Sequence, residues 1–358
     1  MSKELRGGYT TGCCAAAAAQ AATLALYGQP VPPCIELILP DGSPVQLPVA
    51  GLSRGDESCS ASIRKDAGDD PDVTHGSTVV VTVARCPGSE IRFQAGEGVG
   101  TVTLPGLAIP PGEAAINPAP RRMIEQAVRQ VTRDGLVITV AIPGGRELAA
   151  RTFNPRLGIT GGLSVLGTTG RVRPFSHEAV QETIRCSFAI TLACGINDPI
   201  LVPGHIGARA AERQCRIREH QLVEVGNEWG YLLKLAVTEP LERLLLLGHP
   251  GKLVKLAAGQ WDTHSARSDS ALPLVTGRCT ELFGTAPDGT PTVEGLFQAL
   301  APTARLILGN SLADAIVASI IRTFAPAFPV AVVLTDNSGD RLGSSGDLTV
   351  WQGKESLL

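Results

Sequence analysis

Short runs in which apolar and polar residues alternate fill the first part of the chain. CIELILP, SPVQLPV, TVVVTVAR, EIRFQAG, GTVTLP and GLVITVAIP are of this kind, and Gly or Pro separates most of them. Because the pattern repeats every two residues, every second side chain lies on the same face, which is typical of a half-buried β-strand. Two helical segments accompany these strands, one from Thr10 or Thr11 to Gly28 and one over residues 120–133. The pattern predicts an α+β domain.

A different pattern begins near Asn154. Apolar runs that end in glycine, each followed by a helical segment, occur in LGITGGLSVLG, ILVPGHIG, QLVEVGNEWG and RLLLLGHPG. This alternation is typical of a parallel α/β sheet. Ligands bind such sheets outside the carboxyl ends of the strands. We therefore expect the four glycine-rich loops to converge on one edge of the sheet.

Beyond residue 268 the α+β pattern returns, in the strands VAVVLTD and LTVW. We therefore predict one discontinuous domain made of residues 1–153 and 269–358, with residues 154–268 inserted as an α/β domain. A chain of 358 residues is long enough for this division, since single cores stop growing at about 250–300 residues.

Composition and charge exclude several classes of protein. The net charge of −3 provides no basic field for nucleic acid. Nine cysteines without a CxxC pair suit a reducing cytoplasm. Because no window reaches the roughly 18 uncharged apolar residues of a membrane span, we expect a soluble cytoplasmic protein.

The most unusual stretch is KDAGDDPDVTHG, from Lys65 to Gly76, which holds four aspartates and a histidine. Its glycines and proline predict a tight loop, and its spacing does not match a calcium-binding EF-hand. The loop is either a turn whose aspartates bond their own backbone or a cluster whose repulsion must be offset. A cation, a basic surface or raised pKa values would offset it.

Other candidate residues point to anions. The free N–H groups at the start of the alanine-rich helix, at Thr10 and Thr11, can bind a carboxylate or phosphate. Arg121 and Arg122 in the first turn of the next helix oppose the helix dipole, which an anionic ligand would explain. No GxGxxG follows the first strand of the α/β domain, so a standard NAD site is poorly supported.

Several blocks together resemble one family, CbiD, the cobalt-precorrin-5B C-1 methyltransferases of the anaerobic cobalamin pathway. They are LRGGYTTGCCAAAA, KDAGDDPDVTHG, GEGVGTVTLPGL, INPAPRRMI, TFNPRLGITGGLSVLGTTGRVRP and GHPGKLVKLAAGQWDTHS. The resemblance implies methyl transfer from S-adenosylmethionine to carbon C-1 of a tetrapyrrole, with cobalt carried by the substrate and no protein-bound metal. It also implies an S5-like α+β domain with an inserted Rossmann-like domain.

The resemblance and the loop positions together suggest roles for named residues. The candidates for catalysis are His264, Asp66, Asp70 and His75. Those for the methyl donor are Gly167, Thr168, Thr169, Gly170, Gly204, Gly226, Asn227, Gly248 and His249. Those for the carboxylates of the ring are Thr10, Thr11, Arg6, Lys65, Arg121, Arg122, Arg171 and Arg173.

Two other functions stay open at this point. A non-catalytic tetrapyrrole carrier would bind the ring without a methyl donor, and a metal-dependent hydrolase would use the Asp-rich loop. In every case the expected partner is a small molecule, and a homodimer stays open.

Overall fold

The computed structural model describes residues 5–172 and 177–352. The chain forms two compact units, residues 1–180 and residues 181–358. We call them unit 1 and unit 2.

Unit 1 contains ten strands and three helices among its described residues. The strands are β1 Gly8–Tyr9, β2 Cys34–Ile38, β3 Pro44–Arg54, β4 Ser58–Arg64, β5 Thr78–Cys86, β6 Ile91–Ala95, β7 Thr101–Val102, β8 Gly135–Ala141, β9 Ile159–Thr160 and β10 Arg171–Val172. The helices are α1 Thr11–Leu26, α2 Pro118–Arg129 and α3 Gly145–Ala149, and a short 3₁₀ turn covers Asn154–Leu157.

The main sheet of unit 1 has the strand order β2-β3-β4-β5-β8-β6. Neighbours are antiparallel except for β8 and β6, which are parallel. Alternate residues of β5 are buried, as the sequence pattern predicted. Helix α1 packs on this sheet and on α2. Its run of alanines, glycine and cysteines is almost entirely buried, because small side chains let the helix approach its neighbours closely.

Unit 2 holds the remaining elements. Its strands are β11 Ile200–Val202, β12 Leu222–Glu224, β13 Leu244–Gly248, β14 Val330–Thr335 and β15 Arg341–Ser345. Its helices are α5 His205–Gln214, α6 Trp229–Ala236, α7 Pro250–Ala257, α8 Leu272–Phe283, α9 Val293–Ala299 and α10 Pro302–Phe324. Helix α4, His177–Ala193, contains the division between the units.

The sheet of unit 2 has the order β12-β11-β13-β14-β15. All pairs are parallel except β14 with β15. Strands β11, β13 and β14 are buried on both faces because both faces of the sheet are covered there. Leu244 and Leu246 join a core with α6 to α10, whereas Leu245 and Leu247 join a second core with α5.

Helix α10 is long and apolar enough, by length and composition alone, to cross a membrane. Leu308, Leu312, Ile316 and Ile320 on one side of it are buried in the core of unit 2. It also packs against α7 and β15. The apolar residues on this side of the helix are therefore accounted for by the core.

The predicted division into domains differs from the observed one. Strand β14 pairs in register with β13, Val330 beside Leu244, so the C-terminal segment completes the α/β sheet and does not return to the first domain. Residues 154–180 belong to unit 1, where Ile159–Thr160 pairs with β7. The predicted final strand LTVW is a turn. The observed fold is mixed α/β with several sheets.

Candidate functional site

The parallel sheet of unit 2 has a topological switch point at its carboxyl edge. From β11 the chain crosses to β12 on one side, and β13 then lies on the other side of β11. Open α/β sheets bind ligands in the crevice at such a point. Gly204, which follows β11, and Gly226, which follows β12, both border open space, because nothing lies within 4 Å of a Cβ built on either residue. Both therefore leave room for a ligand.

Three polar side chains meet beside this edge. The Lys252 amine of α7 donates to Oδ1 of Asn227 at 3.0 Å, and the Thr263 hydroxyl donates to the same oxygen at 3.2 Å. The backbone N–H of Thr263 also donates to the Asn227 carbonyl. Burial, and next the charge of Lys255, lowers the pKa of Lys252. The arrangement holds a partly buried ammonium group against a neutral amide.

Lys255 lies one turn further along α7 and is buried. Its amine donates to Oγ of Ser268 at 2.8 Å and to the carbonyl of Thr263 at 3.4 Å. Within residues 181–352, no carboxylate forms an ion pair with Lys252 or Lys255. Buried charges normally have an opposite charge nearby. Neither Lys252 nor Lys255 has one within ion-pair distance among the described residues, so their positive charge is uncompensated there.

His249 directly precedes α7, and both of its ring nitrogens form hydrogen bonds. Its Nδ1 accepts the Gly251 N–H at 2.9 Å and so caps the helix. Its Nε2 lies 2.9 Å from Oε2 of Glu294. Because Nδ1 accepts, the proton of the neutral ring lies on Nε2 and is donated to the carboxylate. His249 therefore orients α7 at the sheet edge.

His264 lies in the loop that carries Thr263. Its Nδ1 accepts the Ala266 N–H at 3.1 Å, and its own N–H donates to Oδ1 of Asp262 at 2.9 Å. Asp262 is also paired with Arg267. With Nδ1 occupied, the neutral His264 ring has a donor and not a base at Nε2. This geometry favours a hydrogen-bonding role over proton abstraction.

In unit 1 two of the four aspartates of the Asp-rich loop are paired with basic side chains. Arg6 makes a two-pronged contact with Asp66, at 2.6 and 2.9 Å. The Lys65 amine lies 2.6 Å from Asp72, whose other oxygen accepts from Thr74. The Arg6 contact, first of all, holds the pKa of Asp66 at about 2. Burial of Asp72 raises its pKa, but the Lys65 charge and hydrogen bonds outweigh burial and the net pKa is lowered.

Two of the candidate bases in this loop are poorly suited to that role. A carboxylate with a pKa near 2, such as Asp66, is a weak proton acceptor at neutral pH. The Nδ1 of His75 accepts the Ala67 N–H at 3.2 Å, as His264 does with Ala266. Asp70 has no hydrogen bond or ion pair to another described residue. Of the four predicted catalytic residues, Asp70 alone keeps a carboxylate uncommitted within the described chain.

The loop is held against the start of the chain by backbone contacts. Tyr9 N–H donates to the Asp66 carbonyl at 2.7 Å, and Asp69 N–H donates to the Arg6 carbonyl at 2.9 Å. A Cβ at Gly8 would lie 2.1 Å from the Ala67 carbonyl carbon, so a glycine is required for this approach. The loop is therefore part of the framework of unit 1.

Several predicted substrate residues are already committed within unit 1. Thr10 caps α1 and Thr11 bonds Leu166, and both are buried. Lys65 is buried against Asp72, so its amine is already paired within unit 1, and its role as a substrate contact stays a prediction. Arg121 donates to the carbonyls of Ile116 and Ala114 and pairs with Glu113.

The remaining arginines of the prediction differ in exposure and contacts. Arg6, Arg122 and Arg171 are exposed. Arg171 donates to the Ser43 hydroxyl at 3.2 Å. Arg173 lies outside the described residues.

The predicted grouping of Gly167, Thr168, Thr169 and Gly170 with the strand-end loops is wrong. These residues belong to unit 1, where Thr10 N–H donates to the Gly170 carbonyl and a Cβ at Gly167 would lie 2.3 Å from the Thr10 hydroxyl. The run before them forms only the two-residue strand β9, so it adds no strand to the parallel sheet. Gly204, Gly226, Asn227, Gly248 and His249 do lie at the carboxyl ends of β11, β12 and β13.

Sequence reasoning missed Lys252, Lys255 and Glu294 as site residues. A signal was present, because Lys255 stands within the apolar run of the buried helix that follows β13. A lysine in such a position is either paired or functional.

Known proteins match this chain over most of its length. The model of the CbiD family matches residues 1–174. A protein of Syntrophotalea carbinolica called cobalt-precorrin-5B C(1)-methyltransferase is 51% identical over 348 residues, 97% of this chain and 99% of the relative. The chain belongs to the CbiD family of cobalt-precorrin-5B C(1)-methyltransferases.

Further matches are similar to the chain over shorter regions. A protein of Moorella thermoacetica, also called cobalt-precorrin-5B C(1)-methyltransferase, is 47% identical over 277 residues, 77% of this chain and 75% of the relative. A 1.9 Å crystal structure of the cobalamin biosynthesis protein cbiD from Archaeoglobus fulgidus is 28% identical and covers 74% of this chain and 83% of its own. The TM-score of that pair is 0.38.

Proposed function

We propose that the protein transfers a methyl group from S-adenosylmethionine to ring carbon C-1 of cobalt-precorrin-5B, in the anaerobic synthesis of the corrin ring. The observation that carries this proposal is the 51% identity to a relative of that name over 97% of the chain. The tetrapyrrole is the expected small-molecule partner, and the nine free cysteines favour a reducing cytoplasm.

The carboxyl edge of the unit 2 sheet is the proposed donor site. We place the nucleoside of the donor beside the open positions Gly204 and Gly226, where a parallel sheet of this topology binds its ligand. The carboxylate of the methionine part would pair with Lys252, which has no acidic partner among the described residues. Asn227 and Thr263 hold the lysine in place. This unit is the proposed Rossmann-like domain, and its four parallel strands support that description.

Unit 1 is the proposed substrate-handling domain, with the S5-like fold kept as part of the proposal. The exposed Arg122 and Arg171 are its candidate contacts for ring carboxylates, since arginine pairs with them in two-pronged geometry. Arg6 joins this group only if its contact with Asp66 opens.

S-adenosylmethionine supplies an electrophilic methyl group on a sulfonium centre. Displacement from it needs little covalent chemistry from a protein, so the residues contribute alignment and electrostatics. Lys252 neutralises the carboxylate end of the donor and fixes its direction in the crevice. His264 offers an Nε2 donor, and Asp70 remains the candidate to accept the proton that the ring carbon or its neighbour releases.

The decisive experiment supplies cobalt-precorrin-5B and S-adenosylmethionine labelled with ¹³C in its methyl group. We expect a product heavier by one labelled methyl group, with its carbon signal located at C-1 by NMR, and release of S-adenosylhomocysteine. Unmodified ring after complete binding would instead support a tetrapyrrole carrier, and methylation at another carbon would contradict the assigned position.

A further inference from the structure

Unit 1 contains a cleft that no predicted role explains. It lies between the edge strand β2 with its following turn and the C-terminal half of α2, and its volume is about 570 Å³. Ligand clefts in proteins typically enclose about 300–1,000 Å³. Leu37, Leu39, Met123 and Ala127 form a buried apolar floor. A methionine in the floor can adapt to an irregular apolar ligand.

The rim of the cleft is positively charged. Arg129 and Arg133 line it, and none of the described residues that line it is acidic. Arg129 is held by the carbonyls of Asp134 and Ser89, so its charge has no carboxylate partner there. Arg133 is exposed and makes no hydrogen bond or ion pair with another described residue. An apolar floor under two uncompensated arginines fits an apolar body that bears carboxylates.

The cleft also adjoins a loop from the block that resembles the CbiD family. A Cβ at Gly170 would lie 2.6 Å from Cδ2 of Leu39, so the glycine lets the loop approach the residue that lines the cleft. Arg171 from the same loop reaches the β2–β3 turn at Ser43. The predicted residues Gly170 and Arg171 thus lie next to the strand and turn that form one side of the cleft.

We propose that this cleft binds one carboxylate-bearing edge of the tetrapyrrole substrate, with Arg133 pairing with a ring carboxylate and Ile38 lying against the macrocycle. The inference rests on the proposed function for the identity of the ligand. Ile38 is 54% exposed on the edge strand, and an apolar ring would cover it. A carboxylate needs an arginine that is not already paired, and Arg133 meets this condition within the described chain.

The test uses two soluble corrins that differ in charge. Dicyanocobyrinic acid carries free carboxylate side chains, and dicyanocobinamide carries neutral amides in their place. Each is titrated into the full-length protein by calorimetry, for the wild type, Arg133→Glu, Ile38→Glu and the control Arg92→Glu. Arg92 lies exposed on β6, at the opposite edge of the same sheet, and receives the same change of charge.

We expect the wild type to bind the acid at least tenfold more tightly than the amide. In Arg133→Glu the affinity for the acid should fall at least tenfold, and the affinity for the amide should fall less than threefold. Ile38→Glu should lose affinity for both corrins. Arg92→Glu should keep wild-type affinity for both. Wild-type affinity for the acid in both Arg133→Glu and Ile38→Glu, or no binding of either corrin by the wild type, would overturn the cleft. Circular dichroism checks that each variant is folded. If Arg133→Glu does not fold, Ile38→Glu still tests the cleft.

The same variants separate this inference from the proposed function. Methyl transfer by the wild type with an unchanged KM for the ring in Arg133→Glu would end the cleft proposal and leave the methyltransferase intact. If Arg133→Glu lost corrin binding while the wild type transferred no methyl group, the result would support the cleft proposal and overturn the proposed methyltransferase function.

Discussion

Lys65 in unit 1 and Lys255 in unit 2 are both almost fully buried, yet their amines face different partners. Lys65 is 2% exposed and lies 2.6 Å from the carboxylate of Asp72. Lys255 is 6% exposed and bonds only neutral oxygens, those of Ser268 and Thr263. The first charge is compensated inside the protein. The second is not compensated by any described residue, and Lys252 next to it is in the same condition.

Whether a buried charge has an acidic partner distinguishes a structural region from a candidate ligand site better than the number of charges does. The Asp-rich loop is rich in charge, but Arg6 and Lys65 occupy two of its four aspartates, and backbone bonds join it to the start of the chain. The sheet edge of unit 2 has open glycine positions and two ammonium groups without an acidic partner among the described residues. Of these two regions, the sheet edge is therefore our candidate for binding an anionic ligand.

The largest expected effect is on the buried ion pair of unit 1. Asp72→Asn leaves the Lys65 charge buried and unpaired, which costs about 3–5 kcal/mol for a fully buried pair. Asp72 retains a 24% exposed side chain, so we expect about 3 kcal/mol, the lower end of that range. Hydrogen exchange at the Tyr9 amide, which bonds the loop, should speed up accordingly. The matched control Asp41→Asn, in an exposed turn, should leave this exchange unchanged. Unchanged exchange in Asp72→Asn would contradict the framework role.

The next effect concerns the start of α7. His249→Ala removes the cap on Gly251 and the contact with Glu294, and we expect a loss of about 1–2 kcal/mol in the stability of unit 2. His249→Asn keeps a good capping residue and should lose less than half as much. All three tryptophans of the chain lie in residues 181–358, so their fluorescence during urea unfolding reports on this unit. Equal losses in the two variants would show that the cap does not matter.

A smaller effect is expected from removing the uncompensated charge. Lys255→Met replaces a buried ammonium that has only neutral partners, so the relief of desolvation offsets the lost hydrogen bonds. We expect the stability of unit 2 to change by less than about 1 kcal/mol. Loss of more than twice that amount in the same fluorescence assay would mean that Lys255 is compensated after all.

The smallest effect is a dependence of unit 1 on pH. The folded pKa of Asp66 is about 2, below its ordinary value of 3.8, because of the Arg6 contact. Its stabilisation is therefore complete above about pH 4 and is lost as the pH falls towards 2. The Asp66 side chain is 44% exposed, so we expect less than about 1 kcal/mol. Exchange of the Tyr9 amide should rise over this range in the wild type more steeply than in Asp66→Asn. If the exchange rate depended on pH equally steeply in both proteins, the Arg6–Asp66 contact would not stabilise unit 1.

The local elements were predictable because their signals are local. Apolar runs that end in glycine gave β11, β12 and β13, and alternation gave β5. Long-range pairing was not predictable in the same way, and β14 was assigned to the wrong unit although it joins β13. Its sequence VAVVLT is a nearly continuous apolar run, which is typical of a buried parallel strand and was the available signal, and all six residues are buried.

The candidate site was predictable only in part. Asn227 and His249 follow from their positions after strands, whereas the partner of a charge is set by the tertiary fold. Four aspartates in sequence therefore indicated a ligand site, and the fold pairs two of them with Lys65 and Arg6. The opposite holds for Lys252, whose lack of an acidic partner among the described residues becomes visible only once α7 is packed.

The central claim is that the sheet edge of unit 2 binds the methyl donor and that the Asp-rich loop of unit 1 does not. Calorimetric titration of S-adenosylhomocysteine into the wild type, Lys252→Glu, Asp72→Asn and the exposed control Lys234→Glu tests it in one series. We expect Lys252→Glu to lose at least tenfold in affinity, about 1.4 kcal/mol, while Asp72→Asn and Lys234→Glu stay within threefold of the wild type. Wild-type affinity in folded Lys252→Glu, together with lost affinity in Asp72→Asn, would contradict the claim.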